Sequence, residues 1–189
     1  MSDHRIVVLV SGSGSNMQAL AEACRDGAVP AEVVAVGSDR DCSGSDRARA
    51  LGLETFMLAP KNFPDRDAWS AALRDEVARW KPDLVVSAGF MRILAPVFVD
   101  SFSGRLINLH PSLLPDFPGA HAVRDALQAG AKVTGSTIHH VDHLVDHGPT
   151  ILQEKVEIQE GDTEETLHAR IKEVEHRLLP QACRLLLEA

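Results

Sequence analysis

The sequence has 189 residues, the length of one domain, and its 44% hydrophobic and 24% charged residues are ordinary for a globular protein. Its formal net charge of −8 argues against a general nucleic-acid or anionic-membrane partner, because either would need a broad basic surface. The three cysteines, Cys24, Cys42 and Cys183, are widely spaced without a Cys-x-x-Cys pair, which argues against a disulfide framework or zinc knuckle and favours a reducing cytoplasm.

The first predicted element is a buried strand. Met1, Ser2 and Asp3 lead almost directly into residues 6–10, which are β-branched or leucine and apolar on both faces. This is the pattern of a strand in the middle of a parallel sheet. The run is too short for a signal peptide or a membrane span, so we expect no membrane targeting.

A Gly/Ser-rich turn at residues 11–16 follows this strand and leads into a predicted helix. A strand, turn and helix in this order direct backbone N–H groups and the positive end of the helix at an anion, usually a phosphate. The turn lacks the third glycine of a dinucleotide fingerprint and the Gly-Lys-Ser/Thr of a triphosphate loop. The pattern therefore favours a monophosphate, with a plain tight turn as the alternative.

The next stretch alternates strands with helices, which is typical of a parallel α/β sheet. In chain order we predict a strand at 33–36, a helix at 45–51, a strand at 55–58, a helix at 65–80, a strand at 84–88 and a short helix from Pro96. The apolar loop 89–94 lies where open α/β sheets bind ligands, so it could wall a flat apolar ligand or pack on a neighbouring helix.

Asn108 and His110 occupy alternate positions of the apolar run 106–110, and Pro111 follows directly. Alternate residues of a strand point to the same face, and a proline ends the strand. Both polar side chains are therefore held together at one strand end. Taken alone, the pattern favours a hydrogen-bonded structural pair.

The remaining elements complete an α/β fold, which we predict to be a single-domain Rossmann-like mostly parallel sheet with helices on both faces. They are a helix at 121–129, a strand at 133–141, a strand that opens at 150–152 and continues through 155–158, and a final amphipathic helix. Asp162, with Glu165 three residues on, is the expected cap of this last helix. Pro180 is expected to bend or break it.

The acidic loop at residues 142–149 supplies a carboxylate for the strand-end pair. A carboxylate beside a histidine favours its charged form, and Asp146 is preferred over Asp142 because it lies just before the Gly-Pro that opens the last strand. Asn108 offers an amide donor to a carbonyl oxygen that gains negative charge. Together these residues predict acyl transfer without a covalent nucleophile, since Ser112 lacks the flanking glycines of a nucleophile elbow.

Four histidines in and before this loop raise a metal site as an alternative: His139, His140, His143 and His147. Adjacent residues of a strand point to opposite faces, so His139 and His140 do not easily bind one ion, and no cysteine lies nearby. We therefore expect no metal.

Several motifs occur in the order and spacing of one enzyme family. They are Gly14-Ser15-Asn16, residues 89–94, residues 108–115, Pro118-Gly119 and residues 146–149. Over essentially its whole length the sequence resembles the phosphoribosylglycinamide formyltransferases of purine biosynthesis, within the folate-dependent formyltransferase family. Residues 108–115 are shared across that wider family, and the Gly/Ser turn with residues 117–119 makes the resemblance specific.

The resemblance implies direct transfer of a formyl group from 10-formyltetrahydrofolate to the amine of glycinamide ribonucleotide. It implies that His110, charged through Asp146, stabilises the oxyanion together with Asn108, and that Asp146 orders a water that relays the proton to the folate nitrogen. The implied substrate-binding residues are Gly14, Ser15 and Asn16 for the phosphate and Glu175 for the ribose. The implied folate-binding residues are Arg66, Met91, Arg92, Ile93, Leu94 and Asn108.

Arg66 lies in the first turn of a predicted helix, where a cation opposes the helix dipole. Its position is therefore not explained by helix stability. A solvated surface charge is the alternative to a folate contact. We divide the domain, residues 1–189, into a phosphate-binding half of about residues 1–100 and a catalytic and folate half of about residues 101–189. The expected partners are the two small-molecule substrates, with no nucleic acid or membrane, and a homodimer is compatible with the resemblance.

Rival interpretations stay open. A methionyl-tRNA formyltransferase is expected to carry a further C-terminal domain with a basic surface, and a formyltetrahydrofolate hydrolase an N-terminal regulatory domain; we expect neither here. A non-catalytic module could hold a phosphorylated metabolite on the Gly/Ser turn. Such a module would not need Asn108, His110 and Asp146 at once.

Overall fold

The computed structural model describes residues 4–189, and the predicted N-terminal lead of Met1, Ser2 and Asp3 lies outside the described residues. Within residues 4–189 the chain forms seven strands, β1 His4–Val10, β2 Ala31–Ser38, β3 Thr55–Met57, β4 Leu84–Ser87, β5 Leu106–His110, β6 Val133–His140 and β7 Thr150–Glu157. The same residues form six α-helices, α1 Ser15–Arg25, α2 Ser43–Ala50, α3 Arg66–Arg79, α4 Pro96–Ser101, α5 Ala122–Gln128 and α6 Glu164–Leu187, with a short 3-10 helix at Pro60–Asn62.

The strands form one sheet in the order β3-β2-β1-β4-β5-β6-β7. β1 to β5 run parallel, whereas β6 is antiparallel to both β5 and β7. This confirms the predicted Rossmann-like, mostly parallel sheet. The chain runs outward from β1 to β3 and then crosses back to β4, so the carboxyl ends of β1 and β4 border the crevice where such folds bind ligands.

Both faces of β1 are buried, which explains why residues 6–10 are apolar throughout. Ile6, Val8 and Val10 belong to one core cluster, and Val7 and Leu9 belong to another. The first cluster includes residues of α1, α2 and α6, and the second includes residues of α3 and α4. The helices therefore cover both faces of the sheet, as predicted.

The strands and the helices α2, α3 and α5 begin and end within two residues of the predicted positions, whereas the 3-10 helix Pro60–Asn62 was not predicted. Of the two outcomes predicted for Pro180, the break is wrong, because α6 continues through this proline to Leu187, and the bend stays a prediction. None of the helices in the described part of the chain is both long and apolar enough to cross a membrane.

The start of α6 corrects the predicted cap. The N-cap is Thr163, and its side chain and that of Thr166 each accept a hydrogen bond from the backbone N–H of the other. The predicted cap, Asp162, is therefore wrong by one residue. Its carboxylate instead accepts hydrogen bonds from both terminal nitrogens of Arg170 at 2.8 Å, which makes it part of an ion pair.

Candidate functional site

A cleft of about 740 Å³ opens at the carboxyl ends of β1, β4 and β5. It is lined by most of the predicted site residues, namely Gly14, Ser15, Asn16, Met91, Arg92, Ile93, Leu94, Asn108, His110, Asp146 and Glu175. Arg66 does not line this cleft: it is the first residue of α3, and its side chain is exposed. Its predicted contact with folate stays a prediction.

The ring of His110 has a partner at each nitrogen. Its Nε2 lies 2.8 Å from the carbonyl oxygen of Phe117, and its Nδ1 lies 3.3 Å from Oδ2 of Asp146. Because a carbonyl oxygen only accepts hydrogen bonds, Nε2 carries a proton. When the ring is protonated at both nitrogens, each N–H therefore faces an acceptor, and the Nδ1–H is on the side of the carboxylate.

Asp146 is held in the loop between β6 and β7 by its backbone and by its side chain. Its φ of 53° lies in the left-handed region, which aspartate tolerates better than most residues. Its Oδ2 accepts the backbone N–H of Gly119 at 2.8 Å. Burial raises the pKa of Asp146, but contacts with His139, Gly119 and His110 outweigh this effect and hold the pKa below its usual value. The side chain is therefore a carboxylate at neutral pH.

The sequence reasoning weighed His139 only as a metal ligand, and the structure places it beside the catalytic candidates. In the β5–β6 pairing His139 lies opposite Asn108. Its Nδ1 donates to the carbonyl oxygen of His140 at 2.8 Å, so in the neutral ring Nε2 accepts from Nδ2 of Asn108 at 3.1 Å. This contact orients the amide, whose second N–H points toward Oδ1 of Asp146 at the longer distance of 3.5 Å. That N–H is available to an oxygen bound beside it.

Gly14 shapes the other end of the cleft. It is the N-cap residue of α1, with a φ of 72° and no side-chain cap, so the first N–H groups of the helix have no intrahelical partner. A Cβ added at Gly14 would lie 2.7 Å from the Cα of Gly44. Glycine is therefore required here by backbone conformation and by packing, and the turn presents N–H donors and a positive helix end to an anion.

Glu175 of α6 contacts the start of α1 from the neighbouring helix on the same face of the sheet. Its Oε2 accepts Nδ2 of Asn16 at 2.8 Å, and its Oε1 accepts the hydroxyl of Ser136 at 3.5 Å. Burial raises the pKa of Glu175 to about 7, although Asn16, Lys172 and Ser136 counteract it in part. Lys172, one turn earlier on the helix, lines the same cleft, and the sequence reasoning missed this cation.

Exposed apolar side chains line the cleft near the catalytic candidates. Met91 and Ile93 of the loop after β4 are 55% and 57% exposed, and Leu144 and Val145 of the β6–β7 loop are 61% and 53% exposed. All four line the cleft. Apolar groups that stay exposed on two loops of one cleft indicate a binding surface for an apolar ligand.

The histidines of the acidic loop do not gather around one point. Across residues 4–189 no group of three or more histidine, cysteine, aspartate or glutamate side chains is arranged to hold a metal ion. His143 instead lies 2.7 Å from Asp100, and His147 lies 3.0 Å from Asp142. Cys24, Cys42 and Cys183 are free thiols.

Most of the chain is similar to proteins of known family. Residues 4–183 match the family model described as formyl transferase. The chain is 51% identical over 178 residues to the phosphoribosylglycinamide formyltransferase of Mycobacterium tuberculosis, covering 94% of this chain and 82% of that protein. It is 46% identical over 176 residues to the protein of the same name from Escherichia coli, covering 93% of this chain and 83% of that protein.

The structure is also similar to a solved one. The crystal structure of glycinamide ribonucleotide transformylase 1 from Symbiobacterium toebii superposes with a TM-score of 0.96 at 47% identity, over 98% of this chain and 88% of that one.

Proposed function

The chain belongs to the formyl transferase family of enzymes, and from this premise we propose that it transfers a formyl group from 10-formyltetrahydrofolate to the amine of glycinamide ribonucleotide in purine biosynthesis. The observation that carries the proposal is the single cleft that joins the Gly14 turn to Asn108, His110 and Asp146. One end suits a phosphate, and the other suits an oxygen that gains negative charge.

The ribonucleotide is assigned to the end of the cleft formed by the Gly14 turn. Gly14, Ser15 and Asn16 offer backbone N–H groups to its phosphate, and Lys172 lies in the same cleft as a countercharge. Glu175, already an acceptor for Asn16, can accept from the ribose hydroxyls when it is ionised. The amine then extends toward β5, where Asn108 and His110 stand.

Catalysis is assigned to Asn108, His110 and Asp146. As the amine nitrogen forms its bond to the formyl carbon, the formyl oxygen gains negative charge, and the second N–H of Asn108 is placed to donate to it. The positive charge of a protonated His110 ring, paired through Nδ1 with Asp146, stabilises the same oxygen electrostatically. When the bond from that carbon to the folate nitrogen breaks, the nitrogen takes up the proton that the amine loses. Asp146 holds His110 in position and orders the water that relays this proton.

The folate is assigned to the apolar part of the cleft. Met91, Arg92, Ile93 and Leu94 line it after β4, and Asn108 lies at the adjoining strand end. The exposed Met91 and Ile93 side chains suit the faces of a pterin. Arg66 is retained as a proposed contact for a part of the folate that extends beyond the cleft; the donor KM of an Arg66→Ala variant tests this.

An absorbance assay with 10-formyl-5,8-dideazafolate, run with and without glycinamide ribonucleotide, tests the proposal. We expect release of the deformylated folate only when the ribonucleotide is present. Release without the nucleotide would favour a hydrolase, and no release in either case would favour a binding module.

Three further parts of the proposal are independent of the assay. We place the reaction in the cytoplasm, which agrees with the three free thiols.

We assign the phosphate site mainly to about residues 1–100 and the catalytic and folate site mainly to about residues 101–189. Residues 91–94 of the first half contribute to the folate site, and Glu175 of the second half contributes to the nucleotide site. The homodimer compatible with the sequence stays a prediction, which sedimentation equilibrium tests.

A further inference from the structure

Asp39, the residue directly after β2, carries an enclosed carboxylate with partners from three segments. Its side chain is 0% exposed. Its Oδ1 accepts the hydroxyl of Ser11 at 2.7 Å, and its Oδ2 accepts Nε of Arg92 at 2.6 Å and Nη2 of Arg40 at 3.0 Å. Burial raises the pKa of Asp39, but hydrogen bonds from Arg40, Ser11 and Arg92 outweigh it and lower the pKa, so the carboxylate stays charged at neutral pH.

Ser11 extends this network to the backbone of the loop after β4. Its hydroxyl oxygen accepts the N–H of Met91 at 2.9 Å, and its own N–H donates to the carbonyl oxygen of Gly89 at 3.1 Å. Asp39 therefore holds the loop at residues 89–94 in two ways. It binds the Arg92 side chain directly, and it orients the Ser11 hydroxyl that receives the Met91 N–H.

The partners of Asp39 share one property that the carboxylate itself lacks. Ser11, Arg40 and Arg92 all line the cleft, as does Met91, which donates to Ser11, whereas Asp39 does not. Burying a carboxylate lowers the stability of the fold unless its oxygens are fully hydrogen-bonded. Apolar residues of similar volume often give equal or greater stability than a buried ion pair. The charge is therefore better explained by the geometry that it imposes on its partners than by stability.

We propose that Asp39 is a positioning residue for the formyl donor, which acts through Arg92 and Ser11 to hold the loop at residues 89–94 in place along the cleft. This rests on the proposed function, in which that loop binds the folate. The catalytic candidates stand on β5 and on the β6–β7 loop, and their hydrogen bonds do not involve Asp39. Donor binding, rather than turnover, should therefore depend on it.

The substitution Asp39→Asn tests the inference with little change of shape. Asparagine keeps an oxygen for the Ser11 hydroxyl but loses the charge that pairs with Arg92 and Arg40. We expect the donor KM to rise about tenfold or more, the scale of one lost charge-assisted hydrogen bond, while kcat and the nucleotide KM change little.

Asp162→Asn is the matched control. Asp162 forms an ion pair with Arg170, its side chain is 5% exposed, and neither residue lines the cleft. This variant should lose stability without a change in donor KM. A donor KM that rises equally in both variants would show a general loss of structure and overturn the inference.

Two more variants keep the test decisive. Ser11→Ala breaks the link to Met91 and should also raise the donor KM, so it replaces Asp39→Asn if that variant does not fold. In an Arg92→Met background, Asp39→Asn should add less than it does alone, because coupled residues are not additive. Full additivity, or an unchanged donor KM in both Asp39→Asn and Ser11→Ala, overturns the proposal.

Calorimetric binding of 10-formyl-5,8-dideazafolate separates this inference from the proposed function. A wild type that binds the folate without transferring its formyl group contradicts the proposed transfer but still allows the Asp39 comparison. A wild type that does not bind it overturns both. Weaker binding by Asp39→Asn than by Asp162→Asn supports the inference, and equal binding overturns it.

Discussion

Nδ1 of His110 lies 3.3 Å from Oδ2 of Asp146, and the two side chains are only 5% and 9% exposed. One residue ends a strand and the other sits in a loop with left-handed backbone, so the contact joins two separate parts of the fold. A pair so enclosed is little screened by solvent ions. A positive charge that the imidazole takes up is therefore stabilised directly by the carboxylate.

His110→Asn and Asp146→Asn are each expected to lower kcat by about 10²- to 10⁴-fold, the range for a lost general acid–base group or oxyanion donor. Both variants should remain folded, which circular dichroism and thermal melting check. His147→Asn is the control, since it makes the same change one residue from Asp146 on a side chain that is 68% exposed. Near-normal turnover in both catalytic variants would contradict the mechanism.

His139→Phe is expected to lower kcat by up to about tenfold, because the amide of Asn108 loses the acceptor that orients it and one neutral hydrogen bond is of that scale. The effect should be largely absent when Asn108 is already replaced by alanine. His140→Phe is the control, since His140 does not line the cleft. Equal losses in His139→Phe with and without Asn108 would show that His139 acts by another route.

Glu175→Gln is expected to stabilise the protein in a pH-dependent way. The pKa of Glu175 is about 7 in the folded protein against an ordinary 4.5, so the folded state holds the proton more tightly. The resulting stability is fully present below pH 4.5, declines as the pH rises, and is lost above about pH 7. Glutamine does not ionise, so the variant should melt higher than the wild type above pH 7, with the advantage shrinking toward pH 4.5. Parallel melting profiles at all pH values would contradict this.

The same variant should bind the ribonucleotide less well. Glutamine has one acceptor oxygen where the carboxylate has two, so the nucleotide KM should rise while the donor KM stays the same. In the wild type the nucleotide KM should fall as the pH rises through about 7, where Glu175 ionises. A nucleotide KM that does not respond to the substitution would remove Glu175 from the ribose site.

Gly14→Ala is expected to displace the phosphate turn. The left-handed backbone costs about 1–2 kcal/mol for a residue with a side chain, and the new Cβ would also meet the backbone of Gly44 at 2.7 Å. The nucleotide KM should rise and the donor KM should change little. Gly27→Ala is the control just after α1, because Gly27 also has a left-handed backbone with a φ of 80°, does not line the cleft, and a Cβ there meets nothing within 4 Å. Equal KM values in the two variants would contradict the assignment.

Much of the fold could be predicted because its determinants are local. The apolar runs and the glycine and proline stops placed the seven strands and six α-helices of the described residues, and the alternation in β5 put Asn108 and His110 on one face. The cap of α6 was missed by one residue because Asp162 and Thr163 are both good capping residues. Local preference cannot separate them, whereas the Arg170 ion pair can.

The sequence by itself pointed to the strand-end pair, to Asp146 as its carboxylate, to the Gly/Ser turn and to the order of strands and helices along the chain, and the resemblance added Glu175. Only the tertiary structure decided that His139 orients Asn108, that Asn16 bonds Glu175, and that Asp39 joins Ser11 to Arg92. The physical reason is the separation along the chain over which each kind of interaction acts. Dihedral preferences and side-chain periodicity act over a few residues, whereas these contacts depend on strand register and helix packing between segments distant in the chain.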